Sequence, residues 1–155
     1  ALMKGLVIFD TTHGNTRAVA EALSESLRGS GIAVDVLYVK DVKKLNVKEY
    51  DFLVLGSPTR FGTMSLAMKG VTGKVKGDDW AGKPFAAFDT QNPPNLEKQE
   101  WSAAEKIAER LRDRKMRQLL PVLKVQVLDW KGPLLEGELE RTKEYGRALA
   151  AELQR

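Results

Sequence analysis

Three short segments carry the residues best suited to chemistry: Asp10-Thr11-Thr12-His13-Gly14-Asn15-Thr16, Ser57–Thr63 and Asp89–Asn95. The first is crowded with hydroxyls and contains no Lys or Arg. It joins an apolar run to a helical pattern, so free backbone N–H groups and the positive end of a helix dipole point into it. Hydroxyls of Thr11, Thr12 and Thr16 add donors, and Gly14 lets the backbone come close to an anion. Neutral donors and a helix start are enough to hold one phosphate. The loop is neither the Gly-spaced dinucleotide fingerprint nor the Lys-bearing P-loop, so a monophosphate suits it better than a nucleotide di- or triphosphate. Taken alone, it also fits an ordinary strand–helix turn capped by Asn15 or Thr16. His13, the only histidine, is expected to face solvent or the phosphate; a general acid or ligand is the other role its chemistry permits.

These segments need elements to position them. Lys4–Phe9 is a short apolar run read as a buried strand, and Ala33–Val39, Phe52–Leu55, Pro84–Phe88 and Val122–Val127 read the same way. Between them, Thr16–Arg28 places Val19, Ala22, Leu23 and Leu27 at helical spacing, stopped by Gly29 and Gly31. A weak helix is expected from about Thr63 to Lys76. A long amphipathic helix is expected over Trp101–Leu120, with Trp101 in the core, and a closing helix over Gly137–Leu153 with Leu139, Gly146, Leu149 and Leu153 on its stripe. Thr90–Asn95, with two prolines and two asparagines, reads as irregular.

Strands apolar on both faces, alternating with helices, predict a parallel sheet covered on both sides. Right-handed crossovers then give an α/β fold: an open, doubly wound, three-layer sheet of five strands. Each polar segment directly follows a strand, so all three emerge at one edge, where such sheets bind ligands. With no repeat or linker, residues 3–155 are expected to form one domain, Met3 being read as the natural start.

Composition narrows the chemistry. The chain of 155 residues has no cysteine, which excludes disulfides, thiol catalysis and Cys-ligated metals or clusters. No metal site is expected. No apolar run reaches the roughly 20 residues of a membrane helix, and no signal peptide is visible, so a cytoplasmic setting is expected. The net charge of +4 comes from clusters at Lys40–Lys48 and Arg110–Arg117 set against an acidic Glu136–Glu144. These are solvated faces or a docking surface for an acidic protein partner. Nucleic acid is disfavoured, because no aromatic residues interleave the basic positions.

The first loop resembles the FMN phosphate loop of flavodoxins, Thr/Ser-x-Thr-Gly-Asn-Thr: Thr11, Gly14, Asn15 and Thr16 match, while His13 replaces the middle Thr. Pro58-Thr59-Arg60-Phe61-Gly62, with Met64 just beyond, is similar to flavodoxin-like NAD(P)H:quinone reductases. Lys131-Gly132-Pro133-Leu134 resembles the family's C-terminal end, so the likeness covers nearly the whole chain. The resemblance implies strand order 2-1-3-4-5 and FMN as cofactor. It implies phosphate contacts from Thr11 to Thr16 and ring contacts from Ser57, Pro58, Thr59, Arg60, Phe61 and Gly62. Thr90, Gln91, Asn92 and Asn95 would complete the ring site, without the aromatic stacker flavodoxins often carry there.

Two activities follow from the resemblance. One is an electron carrier exchanging single electrons with protein partners, which the compact length favours. The other is an enzyme passing hydride from NAD(P)H to a quinone, which the Arg60 loop and the missing stacker favour. In either, Gly62 tolerates the peptide flip that would turn a carbonyl toward the ring. A guanidinium from Arg60 at about 4 Å would stabilise the reduced anionic ring by up to roughly 4 kcal/mol at an effective dielectric of about 20. A non-redox signalling domain of similar fold would need an acidic phosphoacceptor cluster, and Asp10 stands nearly alone.

Overall fold

The structure is a computed structural model that describes residues 2–76, 78–92 and 101–155. The chain runs β1 (Lys4–Phe9), α1 (Asn15–Gly29), β2 (Ala33–Tyr38), β3 (Phe52–Pro58), α2 (Leu66–Thr72) and β4 (Pro84–Gln91). It continues through α3 (Ala103–Asp113), β5 (Arg117–Gln118), β6 (Leu123–Gln126) and α4 (Glu138–Leu153). All strand pairs are parallel and the order is β2-β1-β3-β4-β5, with β6 also on β4.

Successive residues of each central strand feed opposite cores, which is why the strands read as unbroken apolar runs. Val7, Phe9, Phe52, Val54, Ala86 and Phe88 pack with Val19, Leu23 and Leu27 of α1 and Leu149 of α4. Leu6, Ile8, Leu53, Leu55, Phe85 and Ala87 pack with Met68 and Val71 of α2 and Ile107 and Leu111 of α3. Two glycines permit the strand spacing on the first of these faces. A Cβ on Gly56 would stand 2.0 Å from the ring of its cross-strand partner Phe88, and one on Gly5 equally close to Phe52.

The expected fifth strand, Val122–Val127, is found as β6, and a short additional strand, β5, lies where the end of a helix was expected. β5 pairs with Pro84–Phe85, and β6 pairs with Phe88–Gln91. Pro121 lies between the two and has no N–H to offer the ladder. The helix expected over Trp101–Leu120 is shorter at both ends. Ser102 caps it, its Oγ accepting from Glu105 N at 3.2 Å. Lys115 ends it in a left-handed conformation, φ 65°, with Met116 N bonded back to Leu111 O. A lysine gives no stop signal, so the sequence pattern ran on.

β3 and β4 also extend beyond the expected bounds, and Thr90 and Gln91 are buried strand residues rather than loop. Trp101 precedes the cap and is 52% exposed, not core. On α4, Leu139 is exposed and Thr142 takes a buried place instead. Gly146 keeps its place because Ser26 of α1 lies against it, 2.7 Å from where a Cβ would stand. Among the described residues, no helix is long and apolar enough to cross a membrane, and no cluster of three potential metal ligands occurs.

Two substitutions test these constraints by urea denaturation. Lys115→Gly relieves the left-handed residue and should raise stability by about 1 kcal/mol. Gly56→Ala drives a methyl into the Phe88 ring and should cost about 1–3 kcal/mol.

Candidate functional site

The C-terminal ends of β1, β3, β4 and β6 open onto a cleft of about 270 Å³. Its walls include Thr11, Thr12, His13, Asn15 and Thr16 from the first segment, and Pro58, Thr59, Arg60 and Phe61 from the second. Thr90, Gln91 and Asn92 come from the third. The three polar segments therefore converge, as a parallel sheet requires. Val127 and Trp130, after β6, also line it, and sequence reasoning missed both. Asn95, also expected there, lies outside the described residues.

The first loop is built to leave α1 open. Gly14 occupies the N-cap position with φ 90°, and no side chain caps the helix. Neither Asn15 nor Thr16 plays that part. Thr11 Oγ1 accepts from Gly14 N at 2.9 Å, and Asp10 Oδ1 accepts from Thr11 N at 2.8 Å. Asn15 instead donates from Nδ2 to Lys131 O at 3.1 Å. Thr16 is buried, its hydroxyl 2.8 Å from that of Thr90. The segment read as free of cations acquires one from the chain elsewhere. Arg60 donates from a terminal guanidinium nitrogen to Thr12 Oγ1 at 2.7 Å.

The second segment is a two-residue hairpin. Arg60 N donates to Thr63 O at 3.0 Å and Thr63 N returns to Arg60 O at 3.1 Å. Phe61 and Gly62 form the tip with φ 52° and 77°, the signature of a type I′ turn. Such a turn favours Asn-Gly, and a bulky aromatic at its first position is strained. The Phe61 ring is nonetheless wholly exposed at the cleft mouth. Gly62 does not line the cleft; a Cβ there would lie 3.2 Å from the Cβ of Trp101. Ser57 is withdrawn as well. Its hydroxyl is buried, donating to Pro58 O at 2.9 Å and accepting from Ser65 N at 3.0 Å, so it braces the hairpin from beneath.

The fourth segment supplies the aromatic side chain that the third one lacks. Trp130 is 58% exposed and stands edge-on to His13, ring centroids 5.1 Å apart, with Lys131 Nζ 4.8 Å from its own centroid. This loop is held to α1 by the Asn15–Lys131 bond. It closes on itself through Leu128 N to Pro133 O and Gly132 N to Asp129 O, both 2.8 Å. Gly132, φ 100°, lies so close to Asn15 that a Cβ would stand 2.5 Å from Asn15 Oδ1. The only sequence signal for Trp130 was its neighbourhood, the Lys131–Leu134 stretch.

Beneath the cleft lies Asp89, fully buried at the end of β4. Its Oδ2 accepts from Ala104 N at 2.9 Å and its Oδ1 from Gln91 Nε2 at 3.0 Å. Burial pushes its carboxyl above the ordinary range, and these bonds, with those of Ser102 and Thr59, pull it partly back. Thr59 Oγ1 also accepts from Ala103 N at 3.0 Å, so the start of α3 is closed by protein groups. Gln91 Oε1 and Asn92 Oδ1 have no hydrogen-bond partner among the described residues though both are buried. The cleft thus asks for an anion at α1, for N–H or O–H donors at Gln91 and Asn92, and for a body that meets Phe61 and Trp130. FMN carries a phosphate, ribityl hydroxyls, one ring N–H and a flat aromatic system, and it fits this donor set.

The flavodoxin family profile matches residues 7–138. A flavodoxin of Aquifex aeolicus is 40% identical over 91 residues, covering 56% of this chain and 49% of that one. An NAD(P)H dehydrogenase (quinone) of Cupriavidus metallidurans is 33% identical over 87 residues, covering 43% of this chain and 44% of that one. The alignments thus span about half the length of either relative. Among solved structures, a flavodoxin from the domain Archaea superposes with a TM-score of 0.81 at 29% identity, covering 99% of this chain and 100% of that one. On the family match and this shared architecture, the chain belongs to the flavodoxin family.

Proposed function

We propose that residues 3–155 form one FMN-binding domain that carries single electrons between protein partners. The observation that supports it most is one cleft holding both an uncapped helix start and two buried acceptor oxygens without partners. FMN supplies reversible uptake of one or two electrons when bound. The start of α1 and the threonine hydroxyls hold the phosphate, and Arg60, on Thr12, adds positive charge beside it. Pro58, Val127 and the two exposed aromatic rings exclude water from the rest of the cofactor.

The cleft mouth suits a protein partner. Phe61 and Trp130 form an exposed apolar rim, and Arg60 and Lys131 set positive charge along it. An apolar centre ringed by cations matches a partner whose redox centre is edged by carboxylates. A cytoplasmic setting belongs to the same reading, and the cysteine-free composition accords with it. A second reading, oxidation of NAD(P)H with reduction of a quinone, is favoured by Arg60, because a cation at the mouth also attracts a dinucleotide's phosphates.

The purified protein should take up one equivalent of FMN with quenching of its fluorescence, and bind riboflavin at least about tenfold more weakly for want of the phosphate. Colourless protein after incubation with excess FMN would end this reading. Anaerobic titration of the complex should give two resolved one-electron steps for the carrier. Direct two-electron bleaching by NADH or NADPH, with quinone turnover, would select the enzyme. Phe61→Asn should make the flavin-free protein about 1 kcal/mol more stable by relaxing the turn, yet weaken FMN binding in a fluorescence titration.

A further inference from the structure

Asp89 and Gln91 stand two residues apart on β4 and so share one face of the strand. Both are almost wholly buried, at 0% and 2% exposure. The backbone of Gln91 is fixed by Val127 N, which donates to its carbonyl at 2.9 Å. Its side chain is fixed by Asp89, whose Oδ1 accepts from Nε2 at 3.0 Å. The other carboxylate oxygen is taken by Ala104 N at 2.9 Å. An ionised carboxylate only accepts, so the amide turns an N–H of its NH₂ toward Asp89, which fixes its oxygen on the other side. The amide oxygen is left as the group on offer. It is buried, its residue lines the cleft, and it has no partner among the described residues. Leaving a buried acceptor unmet is costly and uncommon, so the site expects a donor from outside the chain.

We propose that Gln91 Oε1 accepts the ring N–H that lies between the two carbonyls of the flavin's pyrimidine edge, and that Asp89 is the positioning residue that fixes the amide as an acceptor. This rests on the FMN reading above. Asp89 does not itself line the cleft, and its effect on the cofactor runs through Gln91. The chemical class selected is an imide: a planar ring with N–H flanked by carbonyl groups. A ring methylated at that nitrogen has no proton to give and leaves Gln91 Oε1 stranded.

The experiment compares dissociation constants of the full chain for FMN and for N3-methyl-FMN. The parent should bind the methylated cofactor at least about tenfold more weakly. Gln91→Leu keeps the bulk but removes the acceptor, and the ratio should fall close to one. Asp89→Asn frees both amides to turn and should lower the ratio severalfold; if that variant does not fold, Gln91→Leu still carries the test. With ¹⁵N-labelled FMN, the proton resonance of the same N–H should move in Gln91→Leu. Equal binding of both cofactors by the parent overturns the proposal, as does a ratio unchanged in Gln91→Leu, which would mark a steric clash. A ratio unchanged in Asp89→Asn removes Asp89 from it. Failure to bind FMN at all would instead overturn the FMN reading.

Discussion

Of the helices that follow the strands, α1 and α3 begin beside the cleft, and how their first N–H groups are met determines where a ligand sits. The start of α3 is closed from within: Ser102, Asp89 and Thr59 accept from Glu105, Ala104 and Ala103 in turn. The start of α1 has no side-chain cap, because Gly14 stands where Ser, Thr, Asp or Asn would ordinarily serve. The nearby hydroxyls do not compensate. Thr11 is spent on Gly14, and Thr16 on Thr90. An uncapped start leaves partial positive charge and unmet donors at the cleft, and α1, unlike the equally uncapped α4, has no acidic residue in its first turn to offset them. An anion placed there completes the helix, and the rest of the cleft is arranged around that point.

Much of this was legible in the sequence. β1 is found where its apolar run places it, and the strand order is the one the flavodoxin resemblance implies. The convergence of three polar segments is a consequence of parallel strands and needed no coordinates. What escaped was set by tertiary contacts. Trp130 reaches the cleft because Asn15 holds the loop after β6, a bond across 116 residues. Arg60 reaches the first loop across 48 residues, so a segment without Lys or Arg is not a site without a cation. Ser57 lay in the right segment, yet its strand runs on past the expected end and turns its hydroxyl inward. Helix α3 ended early on a left-handed lysine, a conformation that tertiary packing imposes and composition does not announce.

Apart from the left-handed Lys115 at the end of α3, the places where local rules are broken fall at the cleft. Phe61 occupies a turn position that suits asparagine, and it does so with its ring in solvent. Folding alone gains nothing from that choice, since a small residue would relieve the turn and expose no aromatic surface. Gln91 and Asn92 bury acceptors that no described residue pairs. Each departure costs stability in the free protein, and each is recovered only when something occupies the cleft. Strained and unsatisfied groups spread at random would point to poor packing. Gathered at one cleft, they describe the shape and polarity of its ligand.

The same gathering bears on the choice between carrier and enzyme. A carrier must expose an edge of its cofactor to large partners and keep the remainder fixed as charge changes. The hairpin tip and the Trp130 loop are exposed, but their bases are not free to move. Ser57 braces the hairpin, and Asn15 and Gly132 lock the loop to α1. Beneath both, a buried carboxylate holds Gln91 in one orientation. Bracing of this kind limits rearrangement as charge changes, and a small rearrangement is what rapid electron transfer requires. An enzyme that admits a dinucleotide and then a quinone needs room for each in succession. The rigid bases and the apolar, cation-edged rim favour brief contact with a protein surface over enclosure of a second small molecule.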